Sequence, residues 1–493
     1  MAILHDVLGR YVKVGPGRFL VTGVWLFALK FLIDRLVATV GFGRPWSPLN
    51  YLVPNEVYGL PFLPAPDRVF YATMLAVALP FVWIGIVLTL RRLTDAGLPR
   101  WLAVLFFVPA ANLLFFAALG VIPSARKPAE AVEAPTGEPV SLPPAPVRAI
   151  PLEYGHDDVS RRPLARLFPE SPGTSALLAI LLPVPLAVGL AFLAARVFRD
   201  YGWGVFVAMP FVVGMISAVL HGYRTPRTMG QCLTVGSLAL VASGAGMITF
   251  ALEGLGCLIM CAPIAFPIAL LGAALGYSIQ ARAAGDAGLS NALWTVLLCT
   301  PLLMGAESVA GKRATYFAVR TCIDVNAPPM RVWHNVVTFS DIPKPSDWVF
   351  RAGVAFPVRA RIDGSGVGAI RYCQFSTGDF IEPIEVWDEG RLLKFAVTEN
   401  PPPMREWSPY AQVHPPHLEN FLVARGGQFK LIELPGRRTR LEGTTWYRHT
   451  LWPETYWRWW SDFIIHRIHR RVLEHVKTLS ESQEQAASNA NGS

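Results

Sequence analysis

The stretch GTTWYRHTLWPETYWRWWSDFIIHRIHRRVLEHVK, residues 443–477, decides how the C-terminal third is read. A strand-like segment ends in it, and a long helical pattern begins near Pro453 and runs to about Leu479. At about 100° per residue, Trp457, Ser461, Ile464, Ile465, Ile468, Val472, Val476 and Leu479 share one broad apolar stripe. His475 falls inside the stripe, His469 at its flank, and His466 nearer the polar side with Arg470 and Lys477. His466 and His469 could share a ligand, but His475 points elsewhere, so no metal is assigned. Trp457, Trp459 and Trp460 with Arg458, Arg467, Arg470 and Arg471 would suit a membrane interface. The stripe is nonetheless broad enough for a core-facing helix. It reads as one wall of a hydrophobic pocket, with His475 facing that pocket or a sheet.

Upstream, ATYFAVRTCIDV (residues 314–325) is strand-like, and Asn326 with Pro328-Pro329 suits the start of a short helix. RIDGSGVGAIRYCQF, FIEPIEVW, RLLKFAVT, GQFKLIELPG and TRLEGTTWYRHTL are rich in β-branched and aromatic residues and punctuated by turn residues. They predict an antiparallel meander. GSGVGA (residues 364–369) matches a dinucleotide fingerprint literally, but a strand follows it where a helix is required, so it reads as a hairpin turn and no cofactor is assigned.

Strand, short helices, several antiparallel strands and a long closing helix together resemble the START-like helix-grip superfamily, especially its polyketide cyclase/dehydrase and ligand-transport branch. CIDVNAPPMRVWHNV, GVGAIRYCQFSTGDFIEPIEVWDEGRLLKFAV, GTTWY and YWRWWSDFIIHRIHRRVLEHVK carry the resemblance, over about residues 315–479. It implies a curved sheet around the helix with an apolar cavity between. Either Tyr372, Gln374, Ile381, Pro383, Glu385 and Trp387 face inward, or the complementary set does. The ligand-cavity candidates are Arg371, Gln374, Glu382, Glu385, Trp387, Tyr447, Trp457, Ile464, Ile468 and His475. Trp407 and Tyr410 join them as gating aromatics on the long proline-rich loop at residues 398–419. His414 and His417 on that loop lack the partners of a metal site.

The rest of the chain is different in kind. Hydrophobic residues make up 52% of the 493 and charged residues 16%, a balance that suggests membrane spans. The net charge of +9 fits cytoplasmic loops and anionic lipid, because no Lys/Arg stripe with interleaved aromatics supports nucleic-acid binding. Three apolar runs lie in residues 1–123 and five in residues 174–311. The Pro/Ala-rich residues 124–173 read as an extended linker, residues 312–480 as the helix-grip unit, and 481–493 as a disordered tail. Eight spans would return the C-terminal domain to the cytoplasmic side, where Arg10, Lys13 and Arg18 place the N-terminus of an inner-membrane protein, whereas a third run folded as a re-entrant hairpin would leave that domain outside; the charges do not choose between the two.

Arg91-Arg92-Leu93, Asp95, Gly97 and Trp101, lying between two spans, resemble a family of small, uncharacterised bacterial inner-membrane proteins, over about the first 125 residues. Lys30 and Asp34 sit four apart in the first run, as an ion pair facing other helices or as a polar relay. Glu253, Cys257 and Cys261 form a stripe read as packing between helices. The six cysteines make no paired framework. The expected function is membrane-anchored binding or transfer of a lipophilic ligand such as a lipid, isoprenoid or polyketide-like molecule. A cyclase or dehydratase, or a transporter regulated by the soluble domain, are the alternatives.

Overall fold

The computed structural model describes residues 13–51, 65–108, 111–125, 169–280, 286–310, 315–410, 418 and 422–491. His414, His417 and most of the linker lie outside them. Among the described residues six helical stretches are long and apolar enough to cross a membrane: Arg68–Asp95, Pro172–Phe198, Gly204–His221, Met229–Thr249, Leu255–Gln280 and Leu293–Ala310. The helices are α1 (Pro16–Leu36), α2 (Ala65–Asp95), α3 (Ala111–Val121), α4 (Pro172–Leu181), α5 (Pro183–Phe192), α6 (Met209–His221), α7 (Met229–Thr249), α8 (Leu255–Gln280) and α9 (Asp286–Ala310).

Two expectations about the spans change. The run at residues 101–122 is not one crossing. It breaks into a tight 3-10 helix, Arg100–Phe107, and the 11-residue α3, which is too short to span. Val108, the residue before Pro109, takes the extended conformation that a following proline imposes. Helix α1 carries Lys30, Asp34 and Arg35 and falls outside the set of six. Lys30 donates to the buried Asp34, which also accepts from Tyr51.

The Arg-Arg-Leu-x-Asp stretch acts as a clamp on this break. Arg92 is fully buried; its Nε donates to Leu119 O at 2.9 Å and its Nη2 to Ile122 O, which are carbonyls at the end of α3. Its Nη1 reaches Asp95 Oδ2 at 2.6 Å, and Ser124 Oγ donates to the same oxygen at 2.6 Å. A helix C-terminus leaves carbonyls unpaired, and here a guanidinium held by a carboxylate takes them.

Helix α6 sits at the centre of the second bundle. It meets α8 at glycines: a Cβ on Gly214 would stand 2.0 Å from Ala269 O, and one on Gly272 2.1 Å from Phe211 O. Between membrane helices such close approach supplies the dispersion contact that water exclusion supplies elsewhere.

After residue 314 come β1 (Thr315–Val325), α10 (Pro329–Val337), α11 (Trp348–Arg351), β2 (Pro357–Asp363), β3 (Ile370–Phe375), β4 (Gly378–Asp388), β5 (Leu392–Ala396), β6 (Leu422–Leu434), β7 (Arg438–His449) and α12 (Glu454–Asn491). The seven strands form one antiparallel sheet in the order β1-β7-β6-β5-β4-β3-β2. Gly364, Gly366 and Gly368, all at positive φ, turn β2 into β3. The sheet curls around α12, whose Val472, Leu473 and Val476 are buried with Trp333, Leu393 and Leu441.

Two local expectations are corrected here. Asn326 does not cap α10, where Pro328 holds the N-cap position; its N–H donates to Glu481 Oε1 at 2.8 Å. Nor is the segment after Ser480 without structure. α12 continues to Asn491, and Gln483 and Glu484 meet Asn335 and Arg331. Helix-favouring Glu, Gln and Ala extend the helix once these contacts hold its last turns.

The glycine contact yields a stability test. Gly272→Val should destabilise the protein by about 1–3 kcal/mol, the usual cost of overpacking, whereas Gly189→Val, at a position open to any added Cβ, should cost far less. Denaturant titration of the detergent-solubilised protein checks both, and equal losses would count against the close-packed seam.

Candidate functional site

A cavity of about 160 Å³ lies between the sheet and α12. Strand alternation decides its walls. On β3 the inward residues are Arg371, Cys373 and Phe375, and on β4 Phe380 and Glu382. From β7 come Thr444, Thr445 and Tyr447, and from α12 Ser461, Ile464, Ile465, Ile468, His469 and Val472. Asn400 and Pro401 to Pro403 stand at one end.

The cavity is apolar except at a few points. Arg371 is 1% exposed and forms an ion pair with Glu382, directly across from it on β4. The rings of Phe339, Phe395 and Phe429 lie 5.5–5.7 Å from its guanidinium. Its Nη2 meets no oxygen or nitrogen acceptor, with the Cys373 thiol beside it, and Thr444 Oγ1 is likewise buried without a partner. Burial raises the Glu382 carboxyl above the usual carboxylate range, while Arg371 pulls it back. Burial next to Glu382 pushes the Cys373 thiol up to about 12. Tyr447 donates to Asp462 Oδ1 at 2.6 Å, and burial first, then that carboxylate, raises its phenol.

His469 is pinned between strands. Its Nε2 meets Thr445 Oγ1 at 2.7 Å, and its Nδ1 meets Thr321 Oγ1 at 3.1 Å. Thr321 Oγ1 also lies 2.8 Å from His466 Nδ1. Among the described residues no group of three His, Cys, Asp or Glu is placed to hold a metal ion.

The sequence candidates are thus divided. Arg371, Glu382, Tyr447, Ile464 and Ile468 line this cavity together. Gln374 and Glu385 point the other way, to Arg359 at 2.6 Å and to Lys394 at 2.8 Å. A bulge between Ile384 and Val386 re-aims the strand, so Trp387 packs at 5.4 Å on Trp333, away from the cavity. His475 has the right helical angle but lies one turn past Val472. It meets the ring of Phe339 edge-on in a separate cleft with Arg467 and Arg471, and His469 takes the place expected of it. Trp407 is 55% exposed. Its carbonyl accepts from Leu255 N at 3.0 Å, and Tyr410 donates to Thr249 O, so both dock on the α7–α8 turn of the membrane region. Trp457 packs on Phe206, with ring centroids 5.0 Å apart, in a neighbouring chamber. His469, Cys373, Thr444 and Thr445 were not among the candidates, although the parity of Arg371 along β3 predicts Cys373.

Six apolar helices beside a curled antiparallel sheet that grips a long helix define the class: a multi-pass helical membrane protein fused to a helix-grip domain. Residues 17–130 match a family described as a protein of unknown function (DUF805). No curated protein matches the chain in sequence. Solved structures similar to the C-terminal part include a norcoclaurine synthase from Thalictrum flavum, at 12% identity over 35% of this chain and 99% of that one, with a TM-score of 0.24. The Zhui aromatase/cyclase from Streptomyces sp. R1128 is similar at 16% identity over 35% and 98%, with a TM-score of 0.24. The Aha1 dimer from Colwellia psychrerythraea is similar at 15% over 34% and 96%, with a TM-score of 0.20.

The buried histidines make stability depend on pH. Burial, with His466 adding to it, lowers His469 to about 4, and burial lowers His449 to about 4. Both are neutral when folded, whereas an unfolded histidine titrates near 6.5. Their stabilisation is therefore complete above about pH 6.5 and is lost as pH falls toward 4, at roughly 2 kcal/mol each by pH 5. Melting at pH 7 and pH 5 should show a smaller difference for His469→Gln than for the unaltered protein. An unchanged difference would remove His469 from this account.

Proposed function

We propose that the C-terminal domain binds or transfers a lipophilic ligand bearing a hydrogen-bond acceptor at one end, and that the membrane helices hold it where such ligands partition. The observation that carries this reading is Arg371: a buried guanidinium in an apolar cavity with one nitrogen still lacking an oxygen or nitrogen acceptor. A buried donor left unmet costs free energy, and a carbonyl or carboxyl group entering the cavity would recover it. The aliphatic wall from Ile464, Ile465 and Ile468 suits the remainder of such a molecule.

An enzyme of cyclase or dehydratase type is the second reading, and Glu382 favours it. Burial raises its carboxyl while Arg371 pulls it back, and its place in the cavity wall lets it exchange a proton with a bound carbonyl. The cavity is not entirely apolar, so it retains the group that such chemistry needs. Glu382→Gln separates the readings: loss of turnover with binding intact supports the enzyme, and unchanged binding without any turnover in the unaltered protein supports the carrier.

The binding reading is tested on the full chain with cis-parinaric acid as a fluorescent probe. Removing one member of a buried ion pair strands the other, so both are replaced together, as Arg371→Met with Glu382→Leu. The double variant should stay folded and bind the probe about ten- to a hundredfold more weakly, since a hydrogen bond to a charged group is worth about 1.5–3 kcal/mol. No uptake by the unaltered protein would sink the reading. Equal affinity in the double variant would remove the pair from ligand recognition.

A further inference from the structure

Glu253, Cys257 and Cys261 stand where the membrane region meets the helix-grip domain. They line a second chamber of about 140 Å³. Helices α5, α6 and α8 supply Ala191, Met209 and Leu258 on one side, and Trp457, Trp460 and Met404 close the other. Most of the polar groups here satisfy one another, the buried Trp460 Nε1 being an exception. Tyr201 donates to Glu253 Oε1 at 3.1 Å, while Glu406 accepts from Gly256 N at 3.1 Å and from the Cys257 thiol. What remains open to an occupant is apolar apart from that one N–H, so the chamber suits a hydrocarbon chain.

This chamber adjoins the sheet cavity. Pro403, Leu422, Ser461 and Ile464 line both spaces and form the partition between them. Ser461 is small, Pro403 lies on the loop before β6, and Leu422 is the first residue of β6. The partition thus consists of side chains from a loop, a strand end and one helix face; the backbone of Leu422 is paired with His449 and the Pro403 carbonyl accepts from Ala355 N at 2.9 Å, so it is the side chains that would have to move to open it.

We propose that the partition is a portal and the chamber a second ligand site. A single-chain amphiphile drawn from the bilayer lies with its carbonyl or carboxyl end at Arg371 and its hydrocarbon tail in the chamber against Trp457, Met209 and Cys261. The proposal rests on the ligand-binding reading above and adds the membrane-side site and the path between.

The test uses the full chain in nanodiscs of phosphatidylethanolamine and phosphatidylglycerol, doped with a palmitic acid that carries a photoactivatable diazirine. Adducts are mapped by mass spectrometry after irradiation. The unaltered protein should carry them on both sides, near residues 257–261 and near residues 429–445. In Ser461→Trp the adducts near 257–261 should persist and those near 429–445 should be lost. Leu422→Trp fills the partition from the strand side and gives the same readout should the first variant not fold. Cavity adducts without chamber adducts overturn this inference and leave the ligand reading intact. Chamber adducts alone in the unaltered protein overturn both. Undiminished cavity labelling in the filled variants overturns the portal.

Discussion

The packing of Trp457 on Phe206 ties the two halves of the protein together. Trp457 opens a helix whose later turns line the sheet cavity, while Phe206 belongs to the membrane bundle. Around this contact Trp452 N donates to Tyr201 O at 3.1 Å, and Tyr456 donates to Met260 O. The same aromatic-rich stretch therefore anchors the soluble domain, closes the junction chamber and sets the start of the cavity wall. Tryptophan suits that place, because its large apolar ring can be buried while its N–H reaches a carbonyl, here Trp452 O at 3.3 Å.

Two buried ion pairs do different work at the two ends of the chain. Arg92–Asp95 leaves no guanidinium nitrogen unpaired: each of the three meets a carbonyl or carboxylate, and the pair holds a broken helix in place. Arg371–Glu382 is left with capacity, in a space large enough for another molecule. A saturated buried pair is architecture, while an under-satisfied one beside a cavity is what the proposed recognition of a ligand would use.

Much of this was legible in the residues. The strand series and the apolar stripe of the last helix give the helix-grip unit, and the Arg-Arg-Leu-x-Asp stretch lies within the residues that match the N-terminal family. Period 2 also contained information left unused. Arg371 and Gln374 have opposite parity on one strand, as do Glu382 and Glu385, so neither pair could share a cavity face without a bulge. The bulge after Ile384 had no sequence signature, and so Trp387 could not be placed. His475 shows the other limit: a helical wheel gives angle but not depth, and the cavity ends before that residue. The breaking of the third apolar run depends on Pro109, whose effect length counting ignores. The clamp by Arg92 could not be read at all, because its acceptors are backbone carbonyls almost thirty residues away.

Helix α12 also serves as a ruler. Residues 457 to 472 rise about 22 Å at about 1.5 Å each, without interruption, from the membrane helices to the far end of the cavity. A rigid helix couples that distance to rotation. Inserting one residue between Trp460 and Ile464 would turn one end by about 100° against the other, swinging either the tryptophans off the bundle or the isoleucines out of the cavity. Only insertions near whole multiples of the turn, such as seven residues and about 10 Å, keep both faces in register. The separation between the membrane helices and the sheet cavity is thus fixed in discrete steps.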